Sequence, residues 1–260
     1  AVSLNRILGK LFLKEVYPSV LEEYIKKRRT EGVSDITIHH ELNLLRHAFR
    51  LAVEKWDLIE KTPFVKVTLP CGDKKRIRYL KPDEEQRLFA ALDLDKWSWL
   101  KPVVIIARET GLRLTNVCEL SWKQTDLFKR CIEIEKTKNG KPVWIPMSES
   151  AYLELTKLSR VRDLKSDRVF LVDGRPINRN WVSHVFRRVC LQAGIENFRF
   201  HDLRHDFCSR LIQAGQPLHV VAELAGHEDI STTQRYAHLS PEMKRKAISS
   251  LDALIPVSSR

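Results

Sequence analysis

Cysteine is scarce and carries no pairing pattern. The 260-residue chain has five, Cys71, Cys118, Cys131, Cys190 and Cys208, widely separated and with no two at zinc-finger or redox-motif spacing. An odd, scattered set excludes a disulfide framework and points to a reducing cytosol. Long apolar runs are missing as well. The longest, Val103 to Ala107, is far too short to cross a bilayer, so no membrane role is expected. Ala1 to Lys10 lacks the sustained apolar core of a secretory signal, and no initiator methionine stands at the start, as in a fragment of a longer protein.

What remains is an ordinary globular composition with an excess of positive charge. Hydrophobic residues make up 43% and charged residues 30%, enough apolar surface for two domains to fold without disulfides or metals. The net charge of +12 favours a polyanionic partner through attraction and counterion release. DNA, RNA and an anionic membrane surface all satisfy that condition.

The first 60 or so residues read as helical, with no strand-like alternation. Glu22 to Arg29 is charged, ends in Lys26-Lys27-Arg28-Arg29, and is broken by Gly32. A second helix starts at Ser34 or Asp35, and Leu42, Leu45, Phe49 and Val53 give it an apolar stripe that needs a partner helix. A small helical bundle results. Arg46 and Arg50, with His39, His40 and Asn43 earlier on the same helix, form either a DNA-facing surface or a solvated one.

Periodicity disappears between Lys61 and Lys81. Pro63, Pro70 and Gly72 break any helix, while Lys74, Lys75, Arg76, Arg78 and Lys81 add a dense basic stretch. Such a linker either tracks a phosphate backbone or is a solvated hinge. The division expected is therefore residues 1–70, a linker at 71–81 and a second domain at 82–260.

Pro82 followed by Asp83, Glu84 and Glu85 opens the second domain, because proline suits a first helical position and the acids oppose the positive end of the dipole. A buried helix around Val103 to Arg108 should end at Gly111. Cys131 to Glu135 and Val143 to Ile145 alternate across Lys138-Asn139-Gly140, a β-hairpin with lysines 136, 138 and 141 at or beside its tip. Helices follow at Trp181 to Ala193 and Asp202 to Ala214, then two short ones flank Gly226-His227. Ser231-Thr232-Thr233-Gln234 fits a capping box, placing Tyr236 in the first turns of the last helix.

His201, Arg204, His227 and Tyr236 are groups suited to attack on a phosphodiester, since clustered cationic donors stabilise the extra charge of the transition state and a phenol can supply the nucleophile. His201 and Arg204 stand three apart on one helix face, beside an apolar face of Leu203, Phe207 and Leu211. His201 and His205 have the spacing of a two-histidine metal grip, but the intervening residues lack the glutamate base of the zincin motif and put an arginine beside the cation.

Taken in order, Thr110-Gly111-Leu112-Arg113, Lys138, His201-Asp202-Leu203-Arg204-His205, Gly226-His227 and Ser231 to Tyr236 resemble the tyrosine recombinase (phage integrase) family. The resemblance covers roughly Arg78 to Pro241. More weakly, Glu15 to Leu69 resembles that family's helical core-binding domain, through Ser34 to Ala52. The fold implied is mainly α with a small antiparallel β-sheet: an N-terminal helical bundle, short at its start, and a mixed α+β catalytic domain with a tail helix.

The resemblance implies a site-specific DNA recombinase that integrates or excises a mobile element without any cofactor. Tyr236 would be the nucleophile, forming a 3′-phosphotyrosyl bond and freeing a 5′-hydroxyl. Arg113 and Arg204 would clamp the non-bridging oxygens and Lys138 would protonate the departing oxygen. His201 and His227 would share proton transfer and hydrogen bonding to the phosphate, and the sequence does not divide those roles. Partners implied are double-stranded DNA, three further copies in a tetramer and an accessory DNA-bending protein, in the cytoplasm with a bacterial or phage nucleoid.

Asn116 stands where the family often has glutamate, and His39-His40 where relatives often show Asn-Arg. From Pro241 the tail carries an apolar stripe of Ile248, Leu251 and Leu254, which either packs on its own domain or docks on a neighbouring protomer. A type IB topoisomerase-like activity and a non-catalytic DNA-binding protein are the alternatives. Filled catalytic positions oppose the second.

Overall fold

The computed structural model describes residues 2–70, 77–134, 143–239 and 248–249. Two compact units divide the chain, Ala1–Arg76 and Ile77–Arg260.

The first unit is helical. Helices α1 (Val2–Leu8), α2 (Pro18–Thr30) and α3 (Asp35–Glu54) bury Leu4, Leu8, Leu21, Tyr24, Ile38, Leu42 and Phe49 in a common core. The stripe expected on α3 faces that core, with Leu42 and Phe49 fully enclosed and Leu45 and Val53 at its margin. Gly32 adopts a positive φ of 74° in the α2–α3 turn, and Arg29 pairs with Asp35 at 2.8 Å across it. Arg28 departs from the charged run to which it belongs. It is buried, bonds Glu41 at 2.7 and 3.0 Å, and shares that carboxylate with the Tyr24 hydroxyl at 2.8 Å. A buried charge persists only when so paired, so this arginine joins α2 to α3.

In the second unit, α4 (Pro82–Leu92) begins on its proline, and Glu84 accepts a 3.0 Å bond from the Lys81 backbone amide. Helix α5 (Leu100–Thr110) is the buried centre, packed against α7 (Glu149–Arg160) and α9 (Asp202–Gln213). It stops at Gly111, whose φ of +64° favours glycine. There is a second reason for glycine: a β-carbon here would lie 2.4 Å from Phe207 Cδ1. Arg108 on α5 and Arg210 on α9 both bond the buried Asp206 carboxylate, at 2.9 and 3.1 Å, and the Leu80 amide reaches its other oxygen at 3.0 Å. Helix α9 is thereby fixed to α5 and to the segment entering the unit.

Strands β2 (Cys131–Ile134) and β3 (Val143–Pro146) pair antiparallel, with Ile132 opposite Ile145 and Glu133 opposite Trp144, as the alternation predicts. The intervening turn, including Lys138, Asn139 and Gly140, lies outside the described residues. A third strand, β1 (Thr125–Asp126), joins the other edge of β2. A second small sheet, β4 (Leu171–Val172) with β5 (Arg175–Pro176), was not expected. Its signal is Asp173-Gly174, both at positive φ as a tight hairpin turn requires, but two-residue strands are too short to show alternation.

The remaining helices are α6 (Leu114–Cys118), α8 (Arg179–Gln192), α10 (Leu218–Ala225) and α11 (Ser231–Gln234). The capping box predicted at Ser231 is corrected. Ser231 is itself the first helical residue, and Asp229 makes the cap by accepting the Ser231 amide at 2.8 Å. A carboxylate two residues earlier is the stronger acceptor at a helix start. Tyr236 consequently follows α11 in a tight turn, its amide bonded to the Thr233 carbonyl at 2.9 Å, rather than lying within the helix.

Candidate active site

Local sequence puts His201 at the N-cap of α9, Arg204 in its first turn and Arg113 at the N-cap of α6, immediately after the Gly111 stop. The tertiary fold then brings the two arginines together. Gly111, Arg113, Asn116, Arg204 and Gly226 line one small cleft, bordered by Ile134 and Val143 at the base of the β2–β3 pair. Arg204 donates through Nη1 to the Gly111 carbonyl at 2.7 Å, while its Nη2 is buried with no hydrogen-bond partner among the described residues. Leaving a buried cationic donor unpaired is costly unless an anion completes it. Burial, then Arg113 beside it, lowers the Arg204 pKa to about 10, so even a guanidinium is strained here in its charged form.

Three imidazoles lie within electrostatic reach of Arg204. His201 presents an accessible edge, yet the protein around the rest of its ring, then Arg204, holds its pKa below the usual value. His227 follows the positive-φ Gly226 that ends α10 and bonds Thr233 Oγ1 through Nδ1 at 2.8 Å. Burial, then Arg204 and Arg113, brings its pKa to about 4. His205 is also lowered to about 4, by burial and then by His201, whose ring meets it edge-on at 5.3 Å. His205 and His227 are therefore neutral near pH 7, able to donate from one nitrogen and accept on the other.

Tyr236 is buried, 1% exposed, among Phe207, Cys208 and Ile212 of α9 and Val221 and Ala225 of α10. Its hydroxyl makes a short hydrogen bond with His205 Nδ1 and also interacts with the Cys208 thiol. Burial, then Cys208, pushes the phenol pKa above its ordinary value, against the pull of Arg235 and Arg204. Chemistry at a phosphate calls for the opposite shift. In this arrangement the phenol keeps its proton and is closed off from any ligand.

Residues 78–243 match the phage integrase family. The chain belongs to that family. It is 32% identical to the integrase of Salmonella phage P22 over 229 residues, 84% of this chain and 57% of that one. It is 31% identical to the tyrosine recombinase XerC of Lactobacillus leichmannii over 220 residues, 81% of this chain and 74% of the relative. The fold is that of a Tn1549 transposon integrase solved with transposon right end DNA, with a TM-score of 0.82 at 24% identity over 96% of this chain and 90% of that one. A lambda integrase dimer bound to a core site superposes with a TM-score of 0.76 at 20% identity, covering 91% and 84%. The chain thus spans little more than half of the phage P22 relative.

In this phage integrase family chain, Arg113 and Arg204, two of the six residues singled out from sequence, line one cleft, and both arginines act electrostatically on His201 and His227. Tyr236 lies one residue further, behind His205. Lys138 lies outside the described residues, as does the tail beyond Leu239 apart from 248–249. Beside His201 a wider cleft of about 780 Å³ is lined by Ser183, Arg187, Arg199 and Phe200 among others. No group of three metal-ligating side chains occurs among the described residues. In the first unit Arg46 and His40 are exposed, whereas His39 is committed to the Pro70 carbonyl at 2.9 Å and Arg50 to His47 and Glu54.

Sequence reasoning weighed His205 only as half of a metal grip and gave it no part in the site, whereas the fold places it against Tyr236. Its spacing to Cys208 and Ile212 puts it on the α9 face that covers Tyr236, a signal present in the chain but legible only once that face has an occupant.

Proposed function

We propose that this chain cleaves and rejoins double-stranded DNA as a site-specific recombinase, integrating or excising a mobile element, with Tyr236 as nucleophile and Arg113, Lys138, His201, Arg204 and His227 around the phosphate. The observation that carries the reading is the buried Arg204 Nη2, without a hydrogen-bond partner among the described residues and lining one cleft with Arg113. Planar guanidinium forks match two non-bridging phosphate oxygens, and a neutral His227 donates without adding a charge.

Tyr236 Oη bonds to phosphorus, the bond from phosphorus to the 5′-oxygen breaks, and Lys138 supplies the proton to that oxygen. The phenol proton leaves through a histidine. A 5′-hydroxyl from the partner duplex then attacks the phosphotyrosine and releases Tyr236, so no phosphodiester energy is lost and no cofactor is consumed. Exchange between two duplexes breaks four strands, and each chain has one nucleophile, which sets the assembly at four chains. Arg187 and Arg199 beside His201 extend the cationic surface along a backbone. Where target sites must be brought together, an accessory DNA-bending protein lowers the deformation energy.

A nicked duplex carrying the site selected from genomic DNA tests this. The protein should form an SDS-resistant adduct that Tyr236→Phe abolishes while binding persists. Tight binding without any adduct refutes it, and relaxation of plasmids that lack the site would instead indicate topoisomerase-like chemistry.

A further inference from the structure

The junction of α5 and α9 is built on buried charge. Asp206 is 1% exposed; one of its oxygens takes both Arg108 Nε at 2.9 Å and Arg210 Nε at 3.1 Å, and the other takes the Leu80 amide at 3.0 Å. Arg108 is itself buried and reaches Glu85 at 2.7 Å, while Arg210 reaches Glu109 at 3.2 Å and the Arg108 carbonyl at 2.7 Å. Desolvating such groups costs about as much as their pairing returns, and well-packed apolar side chains would join two helices as firmly.

Position gives the network a second use. At the end of α5, Arg108 and Glu109 take their partners from Asp206 and Arg210 of α9, and the Gly111 carbonyl takes Arg204 Nη1 at 2.7 Å. Arg204 stands two residues before Asp206 on α9. One spacing, between the last turn of α5 and the first turns of α9, therefore sets both contacts. That spacing is under load. Arg113, on the chain leaving α5, lines the same cleft as Arg204, and its charge opposes that of Arg204, so the two guanidiniums repel until they share an anion.

We propose that Asp206 is a positioning residue for phosphate recognition: with Arg108 and Arg210 it braces α9 against α5, holding the Arg204 guanidinium on the Gly111 carbonyl and in one cleft with Arg113 before DNA arrives. The inference rests on the reading of that cleft as the phosphate site. Donors already in place meet the transition state without reorganising, and a misplacement of about 1 Å can cost about 100-fold. A network that only stabilises shows its effect in unfolding; a brace shows it in rate.

Arg108→Met combined with Asp206→Asn removes the buried ion pair, yet leaves a carbonyl oxygen for the Leu80 amide and Glu109 for Arg210. Arg108→Met alone strands the Asp206 charge on Arg210 and should lower the urea midpoint, and the double variant should regain most of that loss. On the nicked duplex, with the site saturated, both should bind as the wild type does and form the covalent adduct about tenfold more slowly, or slower still, in the first turnover. Arg108→Lys, which keeps a cation against Asp206, should recover most of the rate. In an Arg204→Lys background the double substitution should slow the adduct no further, because it acts through Arg204. Gly215→Ala destabilises the same unit elsewhere and is the control for lost stability, with adduct formation at the wild-type rate.

A wild-type adduct rate in Arg108→Met or in the double variant overturns the proposal. So does an equal further loss in the Arg204→Lys background, or the same slowing in Gly215→Ala. A wild type that forms no adduct overturns the recombinase reading and this inference with it; a normal wild type beside unslowed variants removes the inference alone.

Discussion

Gly111 joins stability to the site, and substituting it separates two physical effects. Gly111→Ala imposes a side chain at φ +64°, which costs about 1–2 kcal/mol for a left-handed residue. The new β-carbon also falls 2.4 Å from Phe207 Cδ1, and overpacking of an enclosed aromatic adds about 1–3 kcal/mol. Gly215 is the internal control, with φ +83° in the same unit and nothing within 4 Å of the place a β-carbon would take. Gly215→Ala should therefore lose only the backbone part, about 1–2 kcal/mol. Urea unfolding followed by tryptophan emission reads the second unit, which holds every tryptophan except Trp56. With a slope near the upper end for small proteins, about 3 kcal/mol per M, the Gly111→Ala midpoint should fall below that of Gly215→Ala by about 0.3–1 M. Because the Gly111 carbonyl anchors Arg204, adduct formation should fall in Gly111→Ala and persist in Gly215→Ala. Adding Phe207→Leu should return part of the lost stability, a coupling expected only of residues in contact. Equal midpoints for the two alanine variants would refute the argument.

Arg204→Lys keeps a charge but loses the fork that reaches the Gly111 carbonyl and the cleft together; adduct formation should drop by about 100- to 1,000-fold in single-turnover assays, with site binding retained. Arg28→Met leaves the part-buried Glu41 beside Tyr24 without its cation and should destabilise the first unit by about 1–3 kcal/mol, read from Trp56 emission during unfolding with the other five tryptophans replaced by phenylalanine in both proteins. Acid should also act through the imidazoles. His205 and His227 have folded pKa values of about 4, below the ordinary value of 6.5, so the unfolded chain binds more protons between those limits. Stability then falls as pH drops from 6.5 towards 4, and His227→Gln should flatten that dependence in urea titrations at pH 7, 5.5 and 4.5.

Much of this molecule is legible in its order of residues because the determinants are local. The α3 stripe, the proline start of α4, the Gly111 stop and the pairing of β2 with β3 each depend on neighbours within one element or one turn. The set Arg113, His201, Arg204 and His227 is recognisable as an ordered series; folding lines one cleft with its two arginines and puts both histidines within their electrostatic reach. Where a stronger competitor stood close by, local reading went astray: Asp229 displaced Ser231 as the cap, and Asp173-Gly174 made a hairpin from strands too short to announce themselves.

Tertiary structure decided the rest. Periodicity tells which residues share a face of a helix, not which element covers it. Arg28 and Arg29 sit side by side in a basic run, yet only folding makes one a buried link between helices and the other a surface pair. Arg204 finds the Gly111 carbonyl 93 positions away, and Tyr236 finds His205 across 31. The chain alone singles out a tyrosine in an ordered series of arginines and histidines; the fold encloses that tyrosine and raises its pKa, because burial of the phenol, then the Cys208 thiol, outweighs the pull of the nearby arginines.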